Sequence, residues 1–269
     1  MKCNQQLFDL SGHRVLITGG AGHIATRCAV AFIEQGASLI LVDRSLEQLN
    51  EAKVRFGAHL KKEQVIDIYE VDLEKPDQVQ NLIERLVATF DHLDALINAA
   101  AFVGTDKIQG WGVPFLEQSV DTWRRCLEVN LTAPFSLIQG LYPLLDRSEA
   151  PSIVNISSIY GQVGPDMSLY EGTSMGNPAA YAASKAGLAQ LTRWLCTSLP
   201  DHFRVNTVTP GGVERGQDPE FVARYVSNTS LKRMATEEDL VGVILLLVSA
   251  AGAYITGQDI AVDGGWTAK

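Results

Sequence analysis

The sequence predicts an α/β chain, a doubly wound parallel sheet in one three-layer domain spanning residues 1–269, and three observations carry that prediction. Short branched apolar runs alternate with helical patterns four times before residue 99. A glycine turn, Gly19-Gly20-Ala21-Gly22, follows the first run at once. The chain has 269 residues, 46% of them hydrophobic and 20% charged, enough to bury a large core.

The first strand is 14–18 (RVLIT), and after the glycine turn a helical pattern runs over 26–35 and closes at Gly36. From Gly20 the residues fit G-x-G-x-x-A, in which small side chains allow a tight turn, a close approach to a pyrophosphate and tight packing of helix on strand. The helix N-terminus then faces the anion. The second strand, 38–42, ends in Asp43, placed to accept from a ribose hydroxyl. That carboxylate would repel a 2′-phosphate, which favours NAD over NADP, although Arg44 beside it offsets part of the repulsion. Helix 45–56 and strand 65–71 come next, and the strand ends at Asp72-Leu73. Asp72 sits either at an adenine edge or as the cap of the helix 76–89. Strand 95–98 runs into Asn98-Ala99-Ala100-Ala101, a polar residue followed by side chains small enough for a cofactor to lie close.

The middle third carries the chemistry. A long helix over 121–146 holds Asn130 in an apolar stretch, and Pro134 and Pro143 should bend or divide it. Strand 152–156 ends in Ser157-Ser158. A segment with four glycines and two prolines, 161–178, separates it from Tyr181-Ala182-Ala183-Ser184-Lys185. Four residues apart on a helix, the phenol and the ammonium share a face. A phenol titrates near 10, so acid or base work near neutrality needs a shift of roughly 3 units, part of which a nearby ammonium supplies. Alone, the same pair also fits an ordinary solvated helix face. A sixth strand, 204–209, leads into Pro210-Gly211-Gly212-Val213. The stretch 218–234 reads as a substrate lid or as two short surface helices packed by Phe221, Val222 and Tyr225. An apolar helix, 237–249, and a closing strand, 259–262, complete the chain.

Composition narrows the function classes. Lys plus Arg is 22 and Asp plus Glu is 31, a net charge of −9, and no basic block could follow a phosphate backbone, so nucleic acid is not an expected partner. The longest apolar run, 241–248, is far short of a spanning helix, and a soluble cytoplasmic protein is expected with no membrane partner. Cys3, Cys28, Cys126 and Cys196 are scattered, with no metal-ligand spacing, and read as core or surface residues with no metal site.

Taken in order, the turn Gly19 to Ala25, Asp43, Asn98-Ala99-Ala100, Asn130, Ser158, the YAASK segment, Arg204-Val205-Asn206, Pro210-Gly211 and Val262-Asp263-Gly264-Gly265 resemble the short-chain dehydrogenase/reductase family over nearly the whole chain. The resemblance implies a single Rossmann-type domain, a nicotinamide cofactor, a small-molecule substrate and a homodimer or homotetramer. It makes Tyr181 the general acid or base and gives Lys185 the nicotinamide ribose together with the lowering of the tyrosine pKa. It puts Ser158 on the substrate oxygen and Asn130 in a water-linked proton relay through Lys185. The cofactor residues it implies are Gly19, Gly22, His23, Ile24, Asp43, Asp72, Leu73, Asn98, Ala99, Ala100, Tyr181, Lys185, Pro210, Gly211 and Val213, the last through its backbone.

Three departures stand out. His23 and Ala25 occupy positions where glycines are commonest in single-domain members, and Arg215 stands where a threonine is usual. The segment between Ser158 and Tyr181 is about ten residues longer than usual for the family. It carries Asp166, Tyr170, Glu171, Thr173, Ser174 and Asn177, which suit a hydroxylated ligand, and it resembles members associated with surface-glycan biosynthesis; a sugar or sugar nucleotide is the substrate expected from it. The alternatives are a small non-sugar alcohol or ketone, and a non-catalytic dinucleotide sensor that His23 and Arg215 would suit.

Overall fold

The structure, a computed structural model, describes residues 4–103 and 108–269, so that Cys3 lies outside the described residues. Its seven strands are β1 (Arg14–Thr18), β2 (Ser38–Asp43), β3 (Ile66–Glu70), β4 (Ala95–Asn98), β5 (Ser152–Ile156), β6 (Arg204–Pro210) and β7 (Asp259–Val262). They form one sheet in the order β3-β2-β1-β4-β5-β6-β7, every neighbouring pair parallel. The central strands are buried along almost their whole length, as Val, Ile and Leu runs are when helices cover both faces.

The helices are α1 (Asn4–Leu7), α2 (His23–Glu34), α3 (Leu46–Gly57), α4 (Pro76–Thr89), α5 (Val120–Leu127), α6 (Ala133–Leu145), α7 (Ala179–Ser198), α8 (Pro219–Asn228) and α9 (Glu238–Val248). One face of the sheet packs on α2, α3 and α9 through Phe32, Ile33, Leu49, Phe56, Ile244 and Leu247. The other packs on α4, α6 and α7 through Leu82, Leu86, Leu137, Leu141 and Leu195. The chain runs outward from β1 to β3 and returns through β4, so the strand order reverses between β1 and β4. In such sheets ligands bind in the crevice outside the strand carboxyl ends at that point.

Three elements differ from the sequence reading. The expected helix 121–146 is divided into α5 and α6 by a π turn, Glu128–Thr132. Pro134 has no amide hydrogen for the carbonyl four residues earlier, that of Asn130, and the ladder widens at that point. Pro143 is carried inside α6 near its end. The helix after the glycine turn begins at His23, three residues before the apolar pattern does, which makes His23 and Ile24 part of its first turn. The stretch 218–234 contains one helix, α8, whose Phe221 and Tyr225 are buried. Arg224 ties it down by donating to the Ser168 and Leu169 carbonyls of the 161–178 segment.

Candidate active site

A cavity of ≈ 1010 Å³ opens along the carboxyl ends of β1 to β6. Gly19 turns the chain there with φ +65, and a Cβ on it would lie 2.9 Å from the Ala100 backbone, so β1 and β4 approach as only glycine permits. Gly22 caps α2 with no side-chain hydrogen bond, which leaves the first-turn amides for an anion, and His23, Ile24 and Ala25 line the cavity. This uncapped N-terminus and the small wall of Ala99 and Ala100 fit a dinucleotide. Asp43 holds the rim of the turn: its Oδ2 accepts from the Ala21 amide at 3.1 Å and its Oδ1 from the Arg44 amide at 2.7 Å.

Asp72 and Leu73 also line the cavity. Lys75, not Asp72, stands at the N-cap of α4, and Asp72 instead accepts from the Glu74 amide at 3.0 Å. Beside it Arg125 grips Glu74 through two bonds of 2.6 and 3.1 Å, and that hydrogen bond holds the Glu74 carboxyl below its usual range. Asn98 lies behind the wall rather than on it. Only 2% exposed, it donates to Asn155 Oδ1 at 2.8 Å, and among the described residues its own Oδ1 has no partner.

Ser158, Tyr181 and Lys185 meet deeper in the same cavity. A 3-10 turn, Ile159–Gly161, starts at Ser158, whose Oγ accepts from the Tyr160 amide. That turn presses on α7 so tightly that a Cβ on Gly161 would sit 2.8 Å from the Lys185 carbonyl carbon. Close packing of turn on helix therefore sets Ser158 against the YAASK face. Lys185 is 2% exposed and donates to the Ile156 carbonyl at 2.8 Å, with its Nζ 5.8 Å from the centre of the Tyr181 ring. Burial lowers it to about 8. Burial also pushes the Tyr181 phenol up, with a Ser158 hydrogen bond acting in the opposite sense. In the cavity as it stands burial outweighs the groups that lower Tyr181, and the Lys185 ammonium is directed at the Ile156 carbonyl.

Asn130 is fully buried at the π turn and lies outside the cavity wall. Its Oδ1 accepts from the Phe102 amide at 2.7 Å, and its Nδ2 donates to Ser184 Oγ at 3.0 Å and to Cys126 Sγ at 3.3 Å. The side chain thus anchors the strand-four loop to α7, one residue before Lys185. Cys126 is pushed up to about 11 by burial and Cys28 to about 12, so both remain thiols, as packing residues do.

Pro210, Gly211 and Val213 line the cavity after β6. The two unusual residues nearby belong to one network. Glu237, ahead of α9, accepts from Arg215 Nε at 3.1 Å, and His23 Nδ1 lies 3.9 Å from the same oxygen. Burial acts to raise that carboxyl, but its own backbone amide and Arg215 outweigh it and hold it below the usual value. Arg215 is thus bonded to Glu237, and His23 stands within ion-pair distance of the same carboxylate.

Of the polar side chains of 161–178, Asp166 and Thr173 are engaged within the segment, and Tyr170 donates through its hydroxyl to Tyr160, which lines the cavity, at 2.8 Å. Asp166 accepts from the Ser168 amide and hydroxyl, and Thr173 Oγ1 donates to the Tyr170 carbonyl. The walls above Ser158 and Tyr181 are Ile159, Tyr160, Met175, Phe221, Tyr225 and Met234. Sequence reasoning missed Tyr160, Met175 and Met234, whose side chains carry no fixed spacing that separates a cavity wall from a core.

Comparison with known proteins fits this geometry. Residues 19–267 match the model of a family described as enoyl-(acyl carrier protein) reductase. A 3-oxoacyl-[acyl-carrier-protein] reductase of rhamnolipid biosynthesis from Pseudomonas aeruginosa is 31% identical, covering 96% of this chain and 98% of its own. A "Probable galactose dehydrogenase" from Rhizobium meliloti is also 31% identical, covering 97% and 98%. Among solved structures, a gluconate 5-dehydrogenase from Burkholderia cenocepacia in complex with NADP and tartrate superposes with a TM-score of 0.84 at 25% identity, covering 99% of this chain and all of its own. With its parallel sheet, glycine turn and Ser158–Tyr181–Lys185 cluster, the chain belongs to the short-chain dehydrogenase/reductase family and is an NAD(P)-dependent oxidoreductase.

Proposed function

We propose that the protein moves a hydride between a nicotinamide and a secondary alcohol or ketone held at Ser158 and Tyr181. The observation that carries this reading is the meeting of Ser158, Tyr181 and Lys185 in the cavity that also holds the glycine turn. Gly19, Gly22, His23 and Ile24 hold the diphosphate, Asp43 the adenosine ribose, and Asp72 and Leu73 the adenine. Ala99, Ala100, Pro210, Gly211 and Val213 flank the remainder. When bound, the nicotinamide supplies the hydride in reduction or takes it in oxidation. Tyr181 gives its phenolic proton to the substrate oxygen as a carbonyl is reduced and takes it back in the reverse direction. Ser158 Oγ donates to that oxygen and stabilises the charge that develops on it. Lys185 holds the nicotinamide ribose, and Asn130 acts as a positioning residue through Ser184 and Phe102.

NAD is the preferred cofactor in this account, because Asp43 puts a carboxylate at the ribose where a 2′-phosphate would stand. Asp43→Ala should weaken NAD far more than NADP in a fluorescence titration; equal losses would remove Asp43 from the ribose. A carbohydrate substrate is the second reading, favoured by the galactose and gluconate names among the relatives. We also infer a cytoplasmic homodimer or homotetramer, since Trp123, Phe135 and Trp194 leave apolar surface exposed on α5, α6 and α7. The functional test is nicotinamide absorbance on mixing the protein with NAD(H) or NADP(H) and a panel of ketones, alcohols and sugars. Turnover of any member supports the reading; cofactor binding with no turnover throughout contradicts it.

A further inference from the structure

The upper wall of the cavity carries information about the substrate beyond its reacting carbon, and it rests on the oxidoreductase reading above. Ile159, Met175, Phe221 and Met234 line the cavity with Ser158 and Tyr181 and offer it only carbon and sulfur. A polyol placed there would strand its hydroxyls, each at the cost of a lost hydrogen bond to water.

Tyr225 is the most buried of the polar side chains that line this end of the cavity, beside Tyr160 and Gln217. It is 2% exposed and is stacked on Trp266 with ring centres 4.4 Å apart and planes within 13°. Its Oη accepts from the Gly212 amide at 2.5 Å, which uses an oxygen lone pair and leaves the phenolic hydrogen unspent; among the described residues nothing accepts it. The oxygen lies against the backbone of Gly211, where a Cβ would come within 2.9 Å of it, and both glycines line the cavity. A buried O–H with its acceptor side satisfied and its donor side open is matched by an oxygen acceptor on a ligand. Stacking on Trp266 holds the ring, and with it the oxygen, in place.

We propose that the substrate is a ketone or secondary alcohol with an apolar body and a second oxygen acceptor, and that the Tyr225 hydroxyl reads that acceptor. Burial pushes the phenol up to about 12, so it stays a donor throughout the working pH range.

The test compares 1-phenyl-1,2-propanedione with propiophenone, which shares its skeleton but has one carbonyl, and with D-galactose. Each is assayed by kcat/KM with reduced cofactor, and by calorimetric titration into the enzyme saturated with oxidised cofactor. The wild type should bind and turn over the aromatic ketones in preference to galactose. Tyr225→Phe should lower the dione-to-monoketone ratio about fivefold in both readouts, the size of one neutral hydrogen bond. Met175→Gln, which leaves Gly212 untouched, should weaken propiophenone about threefold. An unchanged ratio in Tyr225→Phe, or preference for galactose, overturns the inference. If the binding ratio shifts while no ligand is turned over, the substrate class stands and the hydride-transfer reading fails.

Discussion

Lys185 is a charge kept where water is not. Its ordinary value of 10.5 falls to about 8 because burial penalises the ammonium, and the Ile156 carbonyl to which it donates offsets only part of that. Between these values the unfolded chain holds more protons than the folded one, so stability rises with pH from about 8 to about 10.5 and is lowest, by about 3 kcal/mol from this group, below that window. Chemical denaturation of the cofactor-free protein should show this alkaline rise, and Lys185→Met should remove it. A pH profile identical in the variant would mean that the ammonium is solvated. Tyr181 moves the other way, upward, so the free protein keeps its phenol protonated at neutrality. Of these groups, Ser158, Tyr181 and Lys185 were legible in the sequence because their chemistry demands fixed residue types at fixed places. Asn98 was misplaced, because a polar residue at a strand end reads the same whether it faces a cofactor or, as here, another strand's asparagine.

Among the elements, the turn Ile159–Gly161 and α7 form the joint that aligns the site. A methyl group at Gly161 would meet the α7 backbone at 2.8 to 3.0 Å, and backbone cannot yield as a side-chain tip can. Gly161→Ala should cost about 1–3 kcal/mol of stability and lower kcat more than it raises KM, since it moves Ser158 relative to Tyr181. Thermal unfolding and steady-state kinetics on one preparation check both parts, and an unaltered kcat would mean that the joint tolerates displacement. The regular strands and helices followed from apolar periodicity and glycine placement. The π turn did not, because its cause is a single missing amide at Pro134 acting on a carbonyl four residues back, which periodicity does not register. The local bonds of the 161–178 segment were equally hidden: Asp166 turns back on Ser168, and Arg224 of α8 holds the Ser168 carbonyl, contacts that depend on packing and not on spacing.

At the scale of the whole molecule, the order of the strands decides where the chemistry sits, and the chain's ends of β1 and β4 supply the crevice into which every cavity-lining residue opens. Trp194, 59% exposed on α7, is more exposed than Trp123 on α5, and Trp194→Glu should shift the protein to a smaller species in size-exclusion chromatography with light scattering. No shift would count against a subunit contact through this helix. The central claim is proton-coupled hydride transfer at Tyr181, and a single-turnover experiment tests it most directly. Wild-type protein and Tyr181→Phe are each loaded with reduced cofactor and mixed with a ketone that the wild type reduces, while nicotinamide absorbance is followed. The account predicts that the variant binds the cofactor nearly as well as the wild type but loses its absorbance change by a factor of 100 or more, roughly the contribution of a positioned acid. A variant that reduces the ketone at most of the wild-type rate would contradict it, and the proton would have to come from another group.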